Sequence, residues 1–132
     1  MRFSDPPGRT VGLLPLRLVI ALVFLMHGGQ KLFVYGIAGT TAAMQGMGIP
    51  LPHVSAIFVT AVELLGGLAI LAGVYTRWAA LLLVGDMAVA ILAVRLRGGF
   101  FAPQGFELEL TLLAGALTLA LLAPGRRMAA SR

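Results

Sequence analysis

The sequence contains no cysteine. That absence excludes disulfides, thiolate metal centres, cysteine-ligated iron–sulfur clusters and thiol redox chemistry within the chain. Charge is scarce as well. Only 11% of the 132 residues are Asp, Glu, Lys or Arg, where a soluble domain carries about a quarter. Histidine occurs twice, at His27 and His53. Haem-bearing bundles offer paired imidazole ligands, and His53 falls just before an apolar run rather than inside one, which disfavours haem. A metal site from His27, Glu63 and Glu107 is disfavoured too, because no helix offers two typical ligands three or four residues apart.

Hydrocarbon fills the space. The chain is 59% hydrophobic, and its apolar residues come in runs of about 20, the length that crosses a hydrocarbon core of about 30 Å. The runs are residues 12–35, 54–74, 78–95 and 106–123. They predict an all-α membrane protein, an antiparallel four-helix transmembrane bundle with one domain over residues 1–132. The first run is too long for a signal-peptide core and no small-x-small cleavage site follows it, so it reads as a span. Pro15 is expected in its first turn, where a missing N–H is harmless. Residues 1–10 read as a poorly ordered tail, and residues 36–53 as a loop with a short interfacial helix near residues 40–47. Residues 75–77 form a tight turn, and residues 98–105 a second outer loop.

The net charge of +5 does not point to nucleic acid, because it is spread over tails and loop ends. Four spans put both tails and the Arg77 turn on one side. That side carries Arg2, Arg9, Arg77, Arg126, Arg127 and Arg132, against Lys31, Arg95 and Arg97 on the other. Positive charge marks the cytoplasmic face, so both termini are expected in the cytoplasm, with the chain in the inner membrane.

The polar residues within the runs are the candidates for function, since intramembrane charge is costly and faces a partner, a cavity or a ligand. His27 and Lys31 lie four apart on one helical face, with Gln30 to one side, and Arg17 falls about 40° from Lys31. Glu63, Gly66, Gly67 and Ile70 follow i, i+3, i+4, i+7, which turns Glu63 inward on a small-residue packing face. Asp86 with Ala90, Ala93 and Arg97, and Glu107 with Thr111, Ala114 and Thr118, form similar faces. The pairings expected are Lys31 or Arg95 with Glu107, and Arg17 with Asp86 or Glu63. Tight glycine packing leaves little lumen for a pore. A cleft for a small apolar–polar ligand such as a quinone fits better, with the charges serving only to fix helix register as the plainer alternative.

The pattern resembles the DoxX family of small four-span bacterial membrane proteins. It is carried by Leu16-Arg17-Leu18, His27-Gly28-Gly29-Gln30-Lys31-Leu32, Gly48-Ile49-Pro50, the run from Glu63-Leu64-Leu65-Gly66-Gly67 to Gly73-Val74-Tyr75-Thr76-Arg77, and Gly105-Phe106-Glu107 to Pro124-Gly125-Arg126. The resemblance implies an accessory membrane subunit of an oxidoreductase system, such as a thiosulfate:quinone oxidoreductase or the partner of superoxide- and thiol-handling enzymes. Other members are associated with resistance to quinone-like or catechol compounds. The family's polar positions fall on Arg17, His27, Lys31, Glu63 and Glu107. On this reading Lys31 and His27 donate to the ligand's carbonyl oxygens, Glu107 balances Lys31, and Glu63 accepts a proton. Electrons come from a partner chain or a bound cofactor. A non-catalytic scaffold subunit and a small transporter are the other expectations.

Overall fold

The computed structural model describes residues 8–124, all of whose long elements are helical. Helix α1 (Arg9–Gly29) continues into a π-helical turn, Gln30–Val34, and α2 (Gly36–Gly46) follows. After α3 (Pro52–Ala72) comes α4 (Thr76–Ala90), which runs on through a second π turn, Ile91–Arg95, and a 3₁₀ turn, Leu96–Gly98. Helix α5 is Glu107–Leu122. Of the tail expected over residues 1–10, Arg9 and Thr10 instead open α1, while residues 1–7, with Arg2, and Arg126, Arg127 and Arg132 lie outside the described residues.

Among the described residues, three continuous helices are long and apolar enough to cross a membrane, namely Arg9–Val34, Pro52–Ala72 and Thr76–Gly98, of 26, 21 and 23 residues. The shortest of these spans about 31 Å at 1.5 Å per residue. Their outer faces suit lipid: Val11, Leu65 and Leu92 are 67%, 67% and 72% exposed. The run expected as a fourth span forms helix α5, whose 16 residues cover only about 24 Å, less than a hydrocarbon core of about 30 Å.

Two sequence expectations are corrected by local chemistry. Helix α1 begins at Arg9, so Pro15 stands inside it rather than in its first turn. The ring removes one backbone bond there, and the helix continues because bilayer burial leaves few alternatives to helical pairing. The turn between α3 and α4 lies at residues 73–75, with Thr76 and Arg77 already opening α4. Gly73 takes φ 71° as the C-cap of α3, with Gly73 N bonded to Ile70 O at 3.2 Å and Val74 N to Ala69 O at 3.0 Å. This is a Schellman-type ending, and its left-handed residue favours glycine.

The core is a seam of small and branched residues. Buried Ile20, Ala21 and Phe24 of α1 meet Ile70 of α3, Ala80 and Leu83 of α4, and Leu119 of α5. Glycines let the helices approach closely. A Cβ on Gly28 would lie 3.1 Å from the Leu64 backbone nitrogen, and one on Gly67 would lie 2.9 Å from Leu25 Cγ and 3.3 Å from the Ala21 carbonyl oxygen. Gly66 faces the other way, toward Leu83 of α4 at 3.3 Å.

At one end of the molecule arginines bind helix C-termini. Arg17, 8% exposed, donates to Ile70 O at 3.2 Å and Leu71 O at 3.3 Å. Arg77 donates to Ala123 O at 3.1 Å, and Arg9 to Leu122 O. The last carbonyls of a helix lack intrahelical donors and carry partial negative charge, so a guanidinium satisfies both needs.

Gly67→Val should destabilise the protein by about 1–3 kcal/mol through overpacking against α1. Gly85→Ala, where no atom lies within 4 Å of the added Cβ, should leave stability level or raise it by about 0.5–1 kcal/mol. Thermal unfolding in mild detergent measures both.

Candidate functional site

Above the packed seam the helices part around a cavity of about 380 Å³. It falls within the range of about 300–1,000 Å³ common to small-molecule sites. The site is built on the two π turns, a rare geometry that recurs at functional positions. The first carries Lys31 and the second Arg95, and both side chains line the cavity. In the first turn Tyr35 N bonds to Gln30 O at 2.9 Å, and the Lys31 carbonyl receives the Thr40 hydroxyl of α2 at 3.0 Å. Helix α2 thereby closes one side of the site, contributing Met44 to its lining.

Each cation has an acid. Lys31 Nζ lies 3.0 Å from Glu63 Oε2, with the Glu63 side chain 4% exposed and that of Lys31 21%. Arg95 Nε lies 3.2 Å from Glu109 Oε1, and Arg95 also donates to Pro103 O at 2.8 Å. The rest of the lining is mainly apolar, with Phe24, Met87 and Leu112 among its residues. His27 is on the same wall, its Nδ1 2.8 Å from Val23 O. A carbonyl oxygen only accepts, so Nδ1 carries the hydrogen. In the neutral ring that leaves Nε2 as an acceptor.

The structure thus brings His27, Lys31 and Glu63 together and leaves the other expected residues apart. Arg17 is at the opposite end, on backbone carbonyls rather than on Asp86 or Glu63. Gln30 is exposed and Glu107 half-buried, and neither lines the cavity. Glu63, not Glu107, balances Lys31.

The reason Glu107 misled is physical. Its face, with Thr111, Ala114 and Thr118, looks polar but is largely exposed. Thr111 and Thr118 return their hydroxyls to the carbonyls four residues back, Glu107 O and Ala114 O, each at 2.9 Å. A threonine that bonds its own helix can face lipid. The buried stripe of α5 is Leu112, Ala116, Leu119 and Ala120, and Glu109 extends it one turn upstream at i−3 and i−7. Apolar periodicity, rather than polarity, would have picked Glu109. Asp86 is a second residue that emerges from the structure: its carboxyl stands within hydrogen-bonding reach of Glu63.

Comparison with known proteins decides the family. The DoxX family profile matches residues 12–96. The chain belongs to the DoxX family. Among relatives of this DoxX chain, the inner membrane protein YqjF of Escherichia coli is 37% identical over 123 residues, covering 87% of the chain and 86% of YqjF. An uncharacterized membrane protein of Mycobacterium tuberculosis is 35% identical over 122 residues, 84% of the chain and 74% of the relative. The putative oxidoreductase CatD of Bacillus subtilis is 32% identical over 109 residues, 83% and 78%. No solved structure matches the chain. The DoxX match reaches through α1 to α4 and so includes every cation that lines the cavity.

Removing one member of the buried pair should be worse than removing both, because a lone charge is left in the low-dielectric interior. Glu63→Leu alone should cost about 3–5 kcal/mol, and Lys31→Met with Glu63→Leu should recover most of it. A double-mutant cycle on unfolding free energy reads the difference.

Proposed function

We propose that this DoxX protein holds a quinone-like molecule within the bilayer, as the membrane subunit of a redox system. The observation that carries the reading is the cavity of about 380 Å³ whose mainly apolar lining includes both members of two ion pairs. A planar ring fits the apolar part. Its oxygens meet Lys31, whose ammonium keeps two N–H donors after bonding Glu63. His27 lines the same cavity, its ring held through Nδ1 by Val23 O. Glu63 lies next to Lys31 as the proton-accepting group. Gln30, Arg17 and Glu107 belong to the helix ends and surface in this reading, with Gly66 and Gly67 as packing points.

The membrane arrangement proposed with it is a single domain of four antiparallel spans, with α5 as the short fourth. Contacts at both ends support this: Arg77, at the start of α4, reaches the end of α5, while Arg95, beyond the end of α4, reaches its first turn. Local thinning of the bilayer accommodates a short span at modest cost. The excess of arginine at the α3–α4 turn and tails supports a cytoplasmic side for both termini. The names of YqjF, an inner membrane protein, and CatD, a putative oxidoreductase, agree with an inner-membrane redox role. With no cysteine, electrons reach the ligand from another subunit or a bound cofactor.

A scaffold subunit is the second reading, favoured by the helix contacts through Gly28 and Gly67. Titration of the purified protein with a short-tailed ubiquinone, followed by isothermal calorimetry, separates the two. Saturable binding that is lost in the His27→Ala, Lys31→Ala double variant is expected for the ligand site. Binding unchanged in that variant, or absent from the parent protein, contradicts it.

A further inference from the structure

Behind the cavity wall stands a carboxyl that the site as described does not use. Asp86 on α4 does not line the cavity, yet its side chain is within hydrogen-bonding reach of Glu63 on α3 and within the field of Lys31 from the first π turn. Its Oδ2 is buried and meets no donor among the described residues. Glu63 is itself 3% exposed and already accepts from Lys31. Glu109 is tied to Arg95 instead.

Charge and hydrogen bonding then set a condition. Two ionised carboxyls in contact have four acceptor oxygens and no donor between them, and with one ammonium they leave a net negative charge in a site that lipid surrounds. An acceptor buried without a donor is costly, and an uncompensated buried charge more so. One proton between Asp86 and Glu63 removes both faults. It supplies the donor that Asp86 lacks and leaves a single negative charge facing the single positive charge of Lys31.

We propose that Asp86 is a positioning residue of the site, holding with Glu63 one exchangeable proton directly behind the Lys31 wall of the cavity. The neutral cluster leaves the remaining Lys31 donors available to a neutral acceptor. Only the use of the proton by a bound ligand rests on the quinone reading above; the proton pair itself rests on the geometry.

Infrared spectroscopy of the purified full-length chain, in a detergent without ester carbonyls and at neutral pH, tests this. A protonated carboxyl shows a C=O stretch that moves down in D₂O. The parent protein is expected to show one such band, Asp86→Asn to lose it, and Asp86→Glu to keep it at a shifted position. A parent protein without the band, or a band that persists in Asp86→Asn, overturns the proposal. Adding a short-tailed ubiquinone separates the two readings: a band that is present but unmoved by quinone supports the proton pair and counts against the ligand.

Discussion

Inside a bilayer a charge that does not meet its counterpart within the protein has almost nowhere else to find one, and the Lys31–Glu63 pair is where that constraint shapes this molecule most. The two side chains come from the π turn that continues α1 and from α3, 32 residues apart in sequence, and meet at 3.0 Å. They can do so because Gly28 and Gly67 let the helices close to distances that a Cβ would obstruct. The π turn completes the arrangement by carrying Lys31 at its start and offering the Lys31 carbonyl to Thr40, which ties α2 to the site. A pair of opposite charges, a glycine contact and a local change of helical pitch are thus one device.

The same constraint is met differently at the other end. There the arginines find carbonyl oxygens rather than carboxylates, Arg17 on α3 and Arg77 on the residue that follows α5. Helix C-termini are partly negative and short of donors, so they anchor cations without a buried acid. The acids are left for the cavity end, where Glu63 and Glu109 each hold a cation and Asp86 stands behind Glu63. The division gives one end a packed anchor and the other an open chamber whose mainly apolar lining carries the two ion pairs.

Much of this was legible in the chain. Apolar run lengths gave the long helices within a few residues, and the i, i+3, i+4 spacing from Glu63 to Gly67 correctly turned that acid inward. His27 and Lys31 were found as a pair four apart. The partners were harder. Which acid meets Lys31 depends on the rotation of α3 against α1 and on a π turn, and neither leaves a simple periodic mark. Glu107 drew attention because its face carries threonines, although back-bonded threonines tolerate lipid. Arg17 was expected on an acid because sequence shows side chains and hides the carbonyls at helix ends.

The central claim is that the chamber walled by Lys31 and Glu63 takes a ring-bearing ligand from the membrane. Photolabelling in liposomes with an azido-quinone, followed by mapping of the modified residues, addresses it directly. The account predicts labelling within residues 24–31 and 87–95, suppressed by excess unlabelled quinone. Labelling confined to lipid-facing residues, or unaffected by the competitor, would contradict it.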